Sequence, residues 1–158
     1  MNGVSKLGVA ALCALAVASV GLAQAASGNE QEAQNAVKVR KAVFDVQNYS
    51  FAPVAAMLKG APFNAKVVIK AAHRIEMTSQ LIPEVFQFNT TSFKVNTKAR
   101  GAVWKSMPDF VQKADNLTQA AQKMAAVAQT GDQSATMQAA ISVGKACGSC
   151  HDQFRNKE

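Results

Sequence analysis

Near the end of this 158-residue chain stands Cys147-Gly148-Ser149-Cys150-His151, and no other feature restricts its fold as strongly. Cys-x-x-Cys-His is the attachment signal for c-type haem. Two thiols one helical turn apart can form thioethers with the two vinyl groups of one porphyrin, while the adjacent imidazole reaches the iron as axial ligand. Cys-x-x-Cys alone also fits a thioredoxin-like redox pair, a short-loop disulfide or a zinc half-site. A redox pair calls for an α/β setting with its first Cys at a helix N-terminus, whereas residues 138–155 read as a continuing amphipathic helix. Zinc would need further ligands, and only His73 and carboxylates are on offer. The motif therefore predicts one haem c, held covalently by Cys147 and Cys150, with His151 as axial iron ligand.

The opposite end agrees. Lys6, an apolar run over residues 7–22, and Ala23-Gln24-Ala25 have the charged start, hydrophobic centre and small-x-small cleavage site of a secretory signal peptide over residues 1–25. A retained membrane anchor is the alternative, but small residues interrupt the run and a polar stretch follows, so no membrane insertion is expected after cleavage. Cys13 does not read as a lipidation site, because Leu12 stands where a small residue is wanted. Covalent haem attachment takes place outside the cytoplasm, so leader and motif together predict the bacterial periplasm.

Removing residues 1–25 from the 158 leaves 133, enough for one domain over 26–158. The leader holds one Lys and no acid, so the formal charge of +7 becomes about +6. That balance favours acidic partners by long-range attraction. It does not indicate nucleic acid: the Lys and Arg residues are scattered, with no basic run and no interleaved aromatics. Paired acid and base groups of the kind a hydrolase or transferase needs are not recognisable, and the chain does not read as an enzyme.

Helical periodicity dominates. A first helix is predicted over 32–59, bent at Pro53, free to loosen at 48–51 and closed by Gly60. A second runs from the N-cap Asn64 to Pro83, followed by a long connection over 84–104. A third starts near Ser106, with Pro108 in its first turn, and stops at Gly131; a fourth carries the haem motif to about Lys157. Four such helices make an antiparallel up-down-up-down bundle. In that topology the end of helix four lies beside Ala36, Val37, Arg40 and Phe44 of helix one, Met77 and Leu81 of helix two, and Trp104, Met107 and Phe110 near the start of helix three. For each apolar residue among them, plain core is an equal reading. His73 reads as a surface or partly buried helix residue.

A four-helix bundle with its haem motif near the C-terminus resembles the class II c-type cytochromes, the cytochrome c-prime family. The resemblance rests on Val39-Arg40-Lys41-Ala42-Val43-Phe44, on Lys59-Gly60 with Pro62-Phe63-Asn64, on Lys98-Ala99-Arg100 leading to Trp104, and on Cys147 through Arg155. It implies covalent haem on Cys147 and Cys150, with His151 as the only protein ligand of a five-coordinate iron. It implies further that Arg40 reaches a propionate, that Lys41 and Lys98 make polar contacts at the haem edge, and that Arg155 stands beside the proximal imidazole.

Phe44 is the position on which the resemblance turns. In the low-spin relatives, the cytochromes c-556, a Met there becomes the sixth ligand, and many other members have Leu. A phenyl ring cannot ligate iron and would instead cover the distal face, leaving a dry site for a small neutral molecule. The reading is a periplasmic, five-coordinate, high-spin cytochrome that exchanges electrons with periplasmic redox partner proteins and binds small gases, nitric oxide (NO) or carbon monoxide (CO). Many relatives dimerise through their first two helices, so a homodimer is a further expectation. Two alternatives are kept: a low-spin, c-556-like electron carrier with Met77 or Met107 as sixth ligand, and a haem-free dithiol oxidoreductase.

Overall fold

The computed structural model describes the backbone of residues 16–157 and the side chains of residues 29–157. Its helices are α1 (Ala16–Leu58), α2 (Ala65–Gln80), α3 (Ile82–Val85), α4 (Ala102–Lys105), α5 (Met107–Gln129) and α6 (Gln133–Phe154). The four long ones form a four-helix bundle. Most of the signal-peptide expectation, with Cys13, falls outside the described residues; the described part of it, 16–25, belongs to α1.

Local chemistry sets the ends of these helices. The Asn64 side chain accepts from the amide of Val67 at 3.2 Å and the Asp132 carboxylate from that of Ala135 at 2.9 Å, capping α2 and α6. Gly60 and Gly131 close α1 and α5 with φ of 102° and 77°, a left-handed turn that a Cβ would disfavour. Such tight reversals force neighbouring helices antiparallel. Apolar residues at helical spacing then meet inside: Val54, Val68, Ile75, Met124 and Val143 are almost fully enclosed. α1 packs along α2, α2 along α5 and α5 along α6, but α1 and α6 touch at few points. The ring of helices is loosest at this seam.

Several boundaries differ from the sequence-based expectation. α1 is already helical at Ala16, the first described residue and well before residue 32, because the stretch between is rich in Ala, Gln and Glu, all strong helix formers. Pro53 lies inside an uninterrupted α1, and residues 48–51 stay helical; only the bond to the Tyr49 carbonyl is forfeited. α2 ends at Gln80 and Pro83 opens the short α3, where its missing amide costs nothing. The long connection therefore contains two helical turns, α3 and α4. α6 stops at Phe154, short of Lys157, since Arg155 turns extended to pair with Ala99.

Candidate functional site

The site starts from the face of α6 that points inward. Val143, Cys147, Cys150 and Phe154 share one stripe, and both cysteines pack half-buried against the core. Neither forms a disulfide. Burial pushes the Cys147 thiol up, and pushes Cys150 up to about 11, with the Cys147 charge adding and Lys113 opposing. A redox dithiol needs the reverse, a thiolate stabilised at neutral pH. His151 follows on the flank of the same stripe and is exposed. Desolvation lowers its pKa, aided by Arg155 and opposed by Asp152, a direction that favours the neutral imidazole, the form able to ligate a metal.

The end of α6 is tied to residues 98–100. The Arg100 amide donates to the Phe154 carbonyl at 2.9 Å and the Asn156 amide to that of Lys98 at 2.8 Å. Arg100 Nη1 caps the helix further, reaching the Gln153 carbonyl at 3.1 Å. This tie fixes Lys98 beside the helix end that bears the motif. Arg155 remains exposed, its amide bonded to the His151 carbonyl at 3.0 Å, and with His151 and Asp152 it lines a groove of about 320 Å³.

On α1, Arg40 is 3 % exposed and heavily engaged. Its Nε donates to the Val85 carbonyl at 2.8 Å, Nη1 to Thr90 Oγ1 at 3.0 Å, and Nη2 to the Phe88 carbonyl. The guanidinium also lies over Phe86, 4.5 Å from the ring centroid, and near Trp104 at 5.2 Å. The sequence expectation for Arg40, a cation extended to a propionate, thus meets a side chain that already pins residues 85–90 to α1. Two guanidinium hydrogens remain unassigned by these three bonds.

Phe44, one turn on, is half-buried and meets Phe86 edge-on at 6.2 Å. Phe86 joins Phe110 at 4.8 Å, Phe110 joins Phe154 at 5.2 Å, and Trp104 Nε1 donates to the Phe86 carbonyl at 2.8 Å. These rings link the α1 residues to the base of α6. Phe86 is the hub, and sequence reasoning missed it by assigning it to a loop; its only signal was an aromatic residue close after Pro83. Gln47 was missed as well. Its Nε2 is enclosed without a hydrogen-bond partner, on the same side of α1 as Arg40 and Phe44.

Not every expected residue gathers here. Met77 is 61 % exposed and Leu81 is also exposed, which corrects their placement around the iron: Met77 on α2 and Leu81 at its C-cap both face outward. Met77 is thereby removed as a sixth ligand, whereas Met107 and Trp104 do pack against the core. Lys41 lies on the outer flank of α1, lining a groove of about 510 Å³ with Lys38, Asp45 and Val95. His73 is exposed and pairs with Glu76 at 3.5 Å. Among the described residues no group of three or more His, Cys, Asp or Glu converges to hold a metal ion, so the zinc reading lacks its partners.

The residues present fit a covalently held porphyrin. Two unbridged thiols project one turn apart from a helix beside the loosest seam of the bundle, an imidazole adjoins them, and an enclosed donor on α1 has nothing to bond. The family model described as Cytochrome C' matches residues 35–155. The chain belongs to the cytochrome c-prime family. Its cofactor is covalent haem c, and its class is that of haem electron carriers. The cytochrome c-prime of Rubrivivax gelatinosus is 34 % identical over 128 residues, covering 80 % of this chain and 98 % of that protein. The solved cytochrome c-prime of Shewanella frigidimarina is 31 % identical, with a TM-score of 0.73 over 79 % of this chain and 97 % of the other. A cytochrome c-prime variant from Alcaligenes xylosoxidans, solved as its nitric oxide complex, is 27 % identical, with a TM-score of 0.70 over 79 % and 97 %. Among the described residues no helix is long and apolar enough to cross a membrane.

Proposed function

We propose that this chain is a periplasmic cytochrome whose haem, attached through Cys147 and Cys150, has His151 as its only protein ligand and keeps a face open to NO or CO. The cofactor supplies a one-electron ferric–ferrous couple and a site for a small axial ligand. The observation that carries the reading is Phe44: the inward position one turn after Arg40 bears a phenyl ring, which cannot coordinate iron, while Met77 faces solvent. The nitric oxide complex of the Alcaligenes relative supports the choice of ligand.

The residues around the haem then divide the work. Phe44 covers the distal face and excludes water. Arg155 stands at the proximal groove beside His151. Lys98, tied to the end of α6, provides positive charge at the haem edge, Lys41 adds to the basic outer flank of α1, and Arg40 holds residues 85–90 while offering its remaining hydrogens to a propionate. Residues 1–25 act as a signal peptide, leaving the bundle as the mature domain from residue 26. Its positive charge suits acidic redox partner proteins. A homodimer is supported by the exposed Val39 and Val46 on α1, Met77 on α2 and Leu81 at its C-cap, apolar side chains on the outer faces of the first two helices.

Absorption spectra of the purified ferric and ferrous protein, recorded with and without NO and CO, test this reading. High-spin spectra that change on adding gas are expected. A low-spin, six-coordinate spectrum in both oxidation states would overturn it in favour of a Met-ligated carrier, with Met107 the candidate, and a colourless protein that reduces disulfides would overturn it altogether. Sedimentation at micromolar concentration reports the dimer.

A further inference from the structure

The polar exception on the inward face of α1 is Gln47. It follows Arg40 by seven residues and Phe44 by three and precedes Val54 by seven, so it projects from the middle of the stripe that faces the bundle interior. Its helical neighbours on that stripe, Val43, Phe44, Phe51 and Val54, are all apolar and belong to the core or pack against it. In their midst the amide nitrogen of Gln47 is shut off from solvent and bonded to nothing. Ser50 also lacks a partner, but a helical Ser hydroxyl can turn onto the carbonyl four residues back, a way out that the Gln47 carboxamide does not share. Native interiors rarely leave an amide donor unpaired, because its desolvation is then uncompensated. Where one persists beside a functional site, a ligand is the natural partner.

The chemistry of the neighbourhood says which ligand. Phe44, the next inward residue toward the N-terminus, is the residue assigned to the distal face, and the thiols of Cys147 and Cys150 pack against the same core. We propose that Gln47 is the distal hydrogen-bond donor, its Nε2–H directed at the oxygen end of a small neutral ligand on the haem iron, on the face that Phe44 covers. The assignment rests on the five-coordinate, gas-binding reading above. A carboxamide is well suited to this task, since it donates without bringing a charge into an apolar pocket. It would hold a bound ligand in place while Phe44 limits its entry.

The test compares the holoprotein with its Gln47→Leu variant, both reduced and saturated with CO. Leu keeps the helix propensity and apolar packing of the position and removes only the amide. A donor beside the ligand oxygen draws electron density onto CO, so its loss moves the C–O stretching vibration to higher wavenumber. CO release should quicken roughly three- to tenfold, the factor one ordinary hydrogen bond is worth. An unchanged stretch and release rate in a folded variant overturns the role of Gln47 and leaves gas binding intact. If Gln47→Leu fails to assemble, Gln47→Met, closer in shape and likewise without a donor, carries the same test, and an unchanged stretch and release rate there overturns the proposal. Failure of the underlying reading looks different: wild type and variant would both be low-spin before CO is added, and neither would bind it.

Discussion

Arg40 sets residues 85–90 against α1, and its truncation is the sharpest probe of how the site is built. Arg40→Ala removes bonds to Val85, Thr90 and Phe88 and two ring contacts. Hydrogen bonds to a charged group contribute about 1.5–3 kcal/mol each, which for three sets an upper bound near 5–9 kcal/mol. Against this, truncation relieves the cost of keeping a cation out of water, several kcal/mol for an ion without a carboxylate partner. It also strands the carbonyls of Val85 and Phe88, at about 1–3 kcal/mol each where water cannot reach them. The balance is a loss of about 3–5 kcal/mol, similar to that for breaking other buried charged contacts. Guanidinium chloride unfolding of the holoprotein, followed by far-UV circular dichroism, measures it. Thr90→Val, which removes one of the three acceptors, should cost about 1.5–3 kcal/mol. Arg40→Lys should recover little, since an ammonium lacks the planar fork that reaches three separated oxygens. A folded Arg40→Ala protein less than about 1 kcal/mol weaker than wild type would refute this reasoning and show that the side chain leaves the loop when haem is bound.

Phe44→Ala should open the distal face and speed CO binding, at a packing cost of about 3–5 kcal/mol, whereas Phe44→Met should push the iron toward six-coordinate, low-spin spectra; stopped-flow and absorption measurements on folded variants check both, and wild-type kinetics would place Phe44 elsewhere. His151→Ala should retain the thioether-bound haem but change its spin state and Soret band, and an unchanged spectrum would point to another ligand. The mature holoprotein should show no free thiol to iodoacetamide at any pH, since both cysteines are consumed. In protein to which haem has not been attached, Cys150 should react slowly at neutral pH and about tenfold faster per pH unit up to about 11, because burial favours the unreactive neutral thiol and only the thiolate attacks.

Local chemistry made much of this protein legible before any fold was known. The spacing of Cys147, Cys150 and His151 is a covalent constraint confined to one helical turn, so it names the cofactor wherever that turn lies. Asn64, Asp132, Gly60 and Gly131 mark helix ends because caps and left-handed turns depend on a few adjacent residues. Hydrophobic periodicity over long segments yields four helices, and short connections make them antiparallel. What the sequence leaves open depends on contacts between residues far apart in the chain. Periodicity places Met77 on a helix but cannot say that its face looks outward, since that follows from how α2 rotates to bury Ala71, Ala72 and Ile75 against α5 and α1. Beyond an aromatic residue close after Pro83, nothing local in residues 84–100 signals that Phe86 anchors the aromatic cluster, that Arg40 pins the loop across 45 to 50 positions, or that Ala99 pairs with Arg155 and so ends α6 early. The solitude of the Gln47 amide is also a tertiary fact, because a donor is unpaired only once every group around it has been placed.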